Sequence, residues 1–185
     1  IGLVGSEMCI RDRFSIENEP VVELVNNRER EYIFADLPDI GYSTDIDTVM
    51  ASSYQVKKQL QQIVKIEQPI TNTLLYKRIL RIWNLTRVTT RLQVFIDNLL
   101  EDAYKDPLSG DTIIYWEDEE KAKDCDFYRI NSKRDILDIP ILEVMSAARY
   151  AIEQQISMPT EDLKRLTSQL LGFSRKGTNL DMLTE

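Results

Sequence analysis

The chain has 185 residues, of which 43% are apolar and 29% are charged, and it carries a formal net charge of −8 at neutral pH. This composition is that of a globular chain and excludes collagen-like, low-complexity and wholly disordered proteins, while the net charge opposes unspecific attraction to nucleic acid or an anionic membrane. The absence of histidine excludes every Ser-His or Cys-His mechanism and removes the commonest transition-metal ligand.

Residues 1–13 are predicted to be foreign to the fold. Within them Leu3 to Arg13, with the sequence LVGSEMCIRDR, resembles a translated sequencing-library adapter. A scar of this kind is excluded from fold reasoning because it has not been selected to pack. We therefore interpret the chain as a metagenomic fragment whose biological sequence begins at Phe14.

Cys125 is the only cysteine outside this tail. It lies between Asp124 and Asp126, and neighbouring carboxylates raise the pKa of a thiol, so we expect a reduced thiol rather than a nucleophile. No apolar run reaches the roughly 18 residues that a bilayer span needs. A lone reduced cysteine and the lack of a membrane segment predict a cytoplasmic protein.

The next segment, residues 14–53, is predicted to be an acidic, extended connector. From Phe14 to Gln55 nine acids face two arginines, which gives a net charge of −7. Apolar residues recur at helical spacing in few places within this segment. Val21 to Val25 and Tyr32 to Leu37 are β-prone runs that predict short strands.

Residues 54–139 are predicted to form a basic unit on a helix-turn-helix plan. From Val56 to Leu92 eight bases face one acid, a net charge of +7. Apolar residues recur at helical spacing over three segments, of which the second is capped by Thr71 or Asn72 and the third by Thr89 or Thr90. The last two helices should share one core, with the members Leu75, Ile79, Leu80, Ile82, Leu92, Phe95, Ile96 and Leu99.

Two short β-prone runs follow the third helix. Asp111 to Trp116 and Asp126 to Tyr128 flank an acidic, turn-like stretch that contains Glu117 to Glu120. They are what the two strands of a wing would look like, so we interpret the unit as a winged helix.

An internal repeat extends this interpretation to the end of the chain. Residues 70–92 align without gaps with residues 158–180, and Leu75, Arg87, Thr90 and Leu92 recur as Leu163, Arg175, Thr178 and Leu180. The expected fold class is therefore mainly α with a small β-hairpin, built from tandem winged-helix or helix-turn-helix units. The second unit, residues 140–185, would be truncated.

The runs IVKIEQPI, IIYW, DILDIP and LLGFSRKGTNL, between Ile63 and Leu180, resemble the domain of unknown function 3320 family. The resemblance implies a C-terminal module of large bacterial proteins, in which it follows a superfamily I helicase motor and a nuclease-like domain. Thr89 departs from the family, which tends to have glycine there. The family has no assigned catalytic residues, so the resemblance implies a non-catalytic accessory of an ATP-dependent helicase.

The basic helix-turn-helix face is the candidate site. We expect it to hold the phosphate backbone of nucleic acid weakly and without sequence readout, through Lys77, Arg78, Arg81, Arg87, Arg91, Arg175 and Lys176. Surface charge or capping of the preceding helix explains Arg87 and Arg175 equally well. The alternative function is protein interaction, in which the module packs on the helicase motor or on a partner subunit.

No cofactor, metal, membrane or small-molecule substrate is expected. Gly172 to Thr178 imitates a phosphate loop but lacks the lysine after its second glycine. Glu117 to Glu120 is interpreted as a solvated hairpin tip rather than a metal or acid/base cluster. Trp83 and Trp116 could stack on bases, although the position of Trp83 at the end of an apolar stripe favours the core.

Overall fold

The computed structural model describes residues 26–42, 44–106, 112–130, 133–154 and 158–173. Within these ranges the chain forms seven α-helices and five short strands, which confirms the expectation of a mainly α fold with a small β component. None of the helices in these ranges is long and apolar enough to cross a membrane. The adapter-like tail and the predicted strand at Val21 to Val25 lie outside the described residues.

The helices are α1 (Ile46–Ala51), α2 (Ser53–Glu67), α3 (Asn72–Ile82), α4 (Thr90–Leu99), α5 (Glu119–Lys123), α6 (Ile141–Glu153) and α7 (Thr160–Leu170). A short 3-10 helix occupies Ile136–Asp138. The strands are β1 (Glu29–Glu31), β2 (Ile70–Thr71), β3 (Tyr104–Lys105), β4 (Ile114–Trp116) and β5 (Tyr128–Ile130).

Side-chain caps fix where α3 and α4 begin. The Thr71 hydroxyl accepts a hydrogen bond from the Leu74 amide at 3.3 Å, and the Thr89 hydroxyl accepts one from the Leu92 amide at 3.2 Å. Each bond satisfies a backbone donor that the first helical turn leaves free. The cap is therefore Thr71 rather than Asn72 for α3, and Thr89 rather than Thr90 for α4.

The first hydrophobic cluster joins α1, α2, α3 and α4 to a three-stranded sheet. Five of the eight residues predicted to share this core are fully buried, namely Leu75, Ile79, Ile82, Leu92 and Ile96. Leu80, Phe95 and Leu99 are only partly buried. Trp83 is 3% exposed, which confirms that it belongs to the core.

The pairing predicted for the two wing strands is wrong, although the first predicted run contains β4. β4 is the centre of an antiparallel sheet in the order β2-β4-β3, with Thr71 opposite Ile114 and Tyr104 opposite Trp116. The stretch after β4 is not a hairpin tip, because Asp118 caps the short helix α5 there. β5 pairs instead with β1, in parallel, with Glu29 opposite Tyr128.

The acidic connector is part of the core. The strand lies at Glu29–Glu31 rather than at Tyr32 to Leu37, and the residues after it are extended without strand pairing. Tyr32 and Ala35 are buried in the first cluster. The connector therefore packs against the helices that it precedes.

α6 and α7 build a second hydrophobic cluster with β5, which contains Tyr128, Ile139, Val144, Ala147 and Leu171. α6 begins at Ile141 and α2 at Ser53, and α7 begins at Thr160 and α3 at Asn72, so both pairs differ by 88 residues. This is the offset of the aligned sequence repeat.

The ends of α3 and α7 repeat the same hydrogen bonds. The Leu85 amide donates to the Leu80 carbonyl and the Phe173 amide to the Ser168 carbonyl, each at 2.9 Å. The residue before each donor has a positive φ, 50° at Asn84 and 88° at Gly172, as helix C-terminal motifs of this kind require. The two helices therefore share one capping geometry as well as one sequence register.

Candidate docking surfaces

Lys77 is held by two aspartates. Its ammonium group lies 3.1 Å from a carboxylate oxygen of Asp135 and 2.6 Å from one of Asp138, which is itself buried. Desolvation opposes the charge, but hydrogen bonds to Asp138 and Asp135 outweigh it and raise the pKa of Lys77. The charge of Lys77 is therefore neutralised within the fold.

Arg78 faces inward. Its guanidinium group lies 3.0 Å from the buried carboxylate of Glu67 and donates to the Ala35 carbonyl at 2.6 Å. It also lies 5.3 Å from the centre of the Phe34 ring. Only 11% of the Arg78 side chain is exposed, so it has little surface to offer a phosphate.

The other predicted cations are more open. Arg91 pairs with Asp47 at 2.8 Å, and both side chains are exposed. Arg81 and Arg87 are exposed, and neither has an ion pair among the described residues. Arg175 and Lys176 lie outside the described residues.

A groove of about 610 Å³ runs along α3, and we call it the α3 groove. Its charged lining is balanced, since four cations face four aspartates: Lys77, Arg78, Arg81 and Lys133 against Asp36, Asp39, Asp135 and Asp138. Phe34 also lines it and is 40% exposed. A polyanion meets as much repulsion as attraction in such a groove.

The exposed side of α4 is not a basic stripe. Arg91 lies there beside Val94, which is 54% exposed. Asp97 is partly buried and accepts hydrogen bonds from the hydroxyls of Tyr76 and Tyr115. Glu101 follows the helix as a further exposed acid, so this face combines apolar and acidic groups with one paired arginine.

A second concave surface lies on α2, and we call it the α2 cleft. One part has a volume of about 460 Å³ and is lined by residues of α2, of the α4 C-terminus and of β4. A smaller part of about 290 Å³ adjoins it. Lys65 and Trp116 line both parts, so the two form one continuous surface.

Two buried glutamates accept hydrogen bonds from several segments of the chain, and neither was predicted from the sequence. Glu143 accepts hydrogen bonds from Arg134 at 2.7 and 3.0 Å and from the guanidinium group of Arg129. Desolvation would raise its pKa, yet the attraction of Arg129 and the hydrogen bonds from both arginines lower the pKa of Glu143 overall. Glu67 accepts from the Tyr32 hydroxyl at 2.6 Å and from the Ala35 amide at 3.0 Å.

A sequence signal for this network exists. Glu67 continues the buried stripe of α2, which also contains Leu60, Ile63 and Val64. A carboxylate at a core position of an amphipathic helix requires a buried partner, because an unpaired buried charge is very costly. The two arginines come from elsewhere in the chain, and no local pattern names them.

The residues considered from the sequence as a nucleophile, a base-stacking ring or metal ligands are not arranged for these roles in the described part of the chain. Burial raises the pKa of the Cys125 thiol to about 11, which keeps it protonated at neutral pH. Trp116 is 1% exposed and its indole donates to Asp106 at 3.2 Å, so its ring is not free to stack on a base. In the part of the chain that the structure describes, no group of three or more Cys, Asp or Glu side chains is placed to hold a metal ion.

Comparison with known proteins gives one match. No curated protein and no solved structure matches the chain. Residues 51–94, which contain α2, α3 and the first half of α4, match the model of a family described as "Protein of unknown function (DUF3320)". Over these residues the chain is therefore similar to the family that its sequence motifs resemble.

Proposed function

We propose that the chain is a non-catalytic docking module, built on a winged-helix plan, that packs on a protein surface. The resemblance to the family suggests the partner, namely the helicase motor of a larger bacterial parent protein. The module would position that motor without contributing chemistry to it.

The order of elements supports the winged-helix plan. α2, β2, α3, α4, β3 and β4 follow one another as helix, strand, helix, helix, strand, strand, and the strands pair in the order β2-β4-β3. In this arrangement α3 and α4 are the helix-turn-helix pair. The wing would be the β3–β4 hairpin.

The observation that carries the docking function is the balanced charge of the α3 groove. A phosphate-binding surface needs a local excess of cations, whereas Lys77 and Arg78 are already paired with carboxylates. A groove with alternating charge and an exposed aromatic ring at Phe34 suits a protein partner, since charged pairs there give orientation and specificity.

The absence of histidine and the protonated state of Cys125 support the non-catalytic part of the proposal. A protonated thiol is a poor nucleophile. Among the buried carboxylates, Glu67 and Glu143 are already paired with arginine, and Asp138 is paired with Lys77. A role for them as general bases would require breaking these pairs.

The proposal is tested with the parent gene recovered from an intact genome. The motor domain and this module are expressed separately, mixed, and studied by sedimentation velocity and calorimetry. Association should be saturable, and Arg81→Glu together with Phe34→Ala should weaken it at least about tenfold, since both residues line the groove. Arg165→Glu on α7, which is exposed and lies outside the α3 groove, is the control. Equal weakening by the control, or no association, contradicts the proposal.

Nucleic-acid binding is the second candidate. Arg81 and Arg87 favour it, because both are exposed without an ion pair among the described residues. Binding would be non-specific, with a dissociation constant of roughly 10⁻⁴ to 10⁻⁶ M. Arg87→Ala with Arg91→Ala should then weaken binding similarly for unrelated sequences and reduce the salt slope by about one unit per lost contact. Fluorescence anisotropy with labelled duplex and single strands at low salt measures both effects.

A further inference from the structure

Lysine side chains line one side of the α2 cleft, and apolar residues form its floor. Lys57, Lys58 and Lys65 line it from α2, and Gln61 and Gln62 lie between them. The floor contains Leu99 and Ala103, which are partly exposed, together with Val64, Leu100 and Trp116, which are buried. A binding surface with an apolar centre and a polar rim is the usual form of a protein docking site.

The charge of the cleft remains positive after its internal pairs are taken into account. Lys57 pairs with Asp102 at 3.1 Å, and Lys121 pairs with Glu117 at the adjoining end. Arg30 and Asp124 offset each other in the smaller part. Lys58 and Lys65 are exposed, and neither has an ion pair within the described ranges, although the charge of Lys65 helps to lower the pKa of Glu117. Five cations and three acids line the two parts, so the cleft keeps an excess of two positive charges.

The spacing of these two lysines defines what can bind them together. They are seven residues apart on one helix, or about 10 Å along its axis at 1.5 Å per residue. Two acids at positions i and i+7 of a partner helix have the same separation. Apolar side chains at i+3 and i+4 of that helix would then point at the floor of the cleft.

We propose that the α2 cleft is a docking site for an acidic amphipathic helix of a partner protein. The inference rests on the proposed docking function and specifies a second surface for it, on a different helix from the α3 groove. The acids of the partner helix pair with Lys58 and Lys65, and its apolar residues cover Leu99 and Ala103. The rim acids Asp102 and Glu117 disfavour the continuous negative charge of a nucleic-acid backbone.

The test uses a fluorescein-labelled synthetic helix with glutamates at i and i+7 and leucines at i+3 and i+4. Its binding to the full chain is followed by fluorescence anisotropy at low salt. Lys58→Glu with Lys65→Glu should weaken binding about tenfold, and replacing the two leucines of the peptide by serine should weaken it similarly. The matched control is Arg81→Glu with Lys133→Glu, which makes the same charge change in the α3 groove and should leave binding within about twofold. Circular dichroism establishes that both double variants are folded.

Two results would overturn the inference, and they are distinguishable. If the peptide does not bind saturably, or if both double variants weaken it equally, the cleft is not the site, while association with the motor domain still tests the proposed function separately. If a short DNA duplex binds more tightly than the peptide at the same ionic strength and the same lysines are responsible, the docking function itself fails in favour of nucleic acid.

Discussion

Glu143 carries a full negative charge inside the second cluster, where its side chain has no exposure to solvent. Arg129 and Arg134 surround it, and both guanidinium groups lie over the ring of Tyr32, at 4.6 and 4.1 Å from its centre. The carboxylate also accepts a hydrogen bond from the Arg129 backbone amide at 3.0 Å. Removal of this one charge would take from two buried cations, Arg129 and Arg134, the carboxylate that both contact.

We expect Glu143→Gln to lower the free energy of unfolding by about 3 to 5 kcal/mol, the usual cost of breaking a buried ion pair from one side. Glu153→Gln on the same helix is the control. Glu153 also pairs with an arginine, Arg28, but half of its side chain is exposed, so its loss should cost much less than the loss of Glu143. Urea denaturation measures both values. Equal costs would show that burial does not determine the strength of these pairs.

The contribution of Glu143 should depend on pH in one direction. Because the arginines lower its pKa in the folded state, its stabilising effect is complete above the unfolded glutamate pKa of about 4.3. The effect is lost as the pH falls through the lower folded value. The stability difference between the native chain and Glu143→Gln should therefore be constant near neutral pH and shrink below about pH 4. Urea denaturation across this pH range checks it, and a difference that grows on acidification would contradict it.

Cys125 should react slowly in the folded protein. With a pKa of about 11, its thiolate fraction at pH 8 is far below that of a free thiol, and higher intrinsic nucleophilicity offsets only part of the loss. In a Cys9→Ser background we expect alkylation by iodoacetamide to be about tenfold slower in buffer than in urea. The rate should rise with pH up to about 11. Equal rates in buffer and urea would show that the thiol is not protected.

At the scale of single elements, local sequence predicts the longer helices and narrows their caps to two candidates each, but it predicts neither the short helices α1 and α5 nor the pairing of the strands. Thr71 and Thr89 are among the candidates because a cap acts within one helical turn. The β-prone run over β4 is recognisable, but its neighbours β2 and β3 are not, because two residues each are too few to carry a sequence pattern. Their pairing depends on which residues the helices bring together, and so does the partnership of Arg129 with Glu143.

The shared helix ends allow a matched substitution. Gly172 has a φ of 88°, and a Cβ at this position would meet no atom within 4 Å, so any cost of Gly172→Ala comes from the backbone alone. We expect it to cost about 1 to 2 kcal/mol, and Asn84→Ala, at the equivalent position of α3, to cost about 1 kcal/mol. Asn98→Ala in the exposed part of α4 is the control and should cost nothing. Thermal and urea denaturation compare the three, and a silent Gly172→Ala would exclude the shared capping geometry.

At the scale of the whole molecule, the acidic connector places the carboxylates of Asp36, Asp39 and Asp47 beside the basic unit. The two segments have net charges of −7 and +7. Asp36 and Asp39 line the α3 groove, and Asp47 pairs with Arg91 on α4. A charge cluster that suggests nucleic-acid binding in the sequence is therefore met by carboxylates from its own chain, which net charge along a segment cannot reveal.

Replacement of Asp36, Asp39 and Asp47 by asparagine should expose this cluster. We expect the triple variant to bind a DNA duplex about tenfold more tightly at low salt than a variant with the same charge change on and beside α5, namely Glu119→Gln, Glu120→Gln and Asp124→Asn. Anisotropy titrations with one duplex compare the two variants. If both bind alike, only the overall charge of the chain matters and the connector has no shielding role.

The position of Arg129 has a consequence for how the chain can be divided. Its guanidinium group donates to the Glu67 carbonyl at 2.7 Å and the Pro69 carbonyl at 2.6 Å, while it also pairs with Glu143 on α6. One side chain thus joins the end of α2 to the second cluster. Cutting the chain between the two repeats would leave Arg129 and Arg134 in the first half and Glu143, which both contact, in the second. The two halves are therefore expected to unfold in one cooperative transition, and the repeat unit, although visible in the sequence, is not an autonomous folding unit.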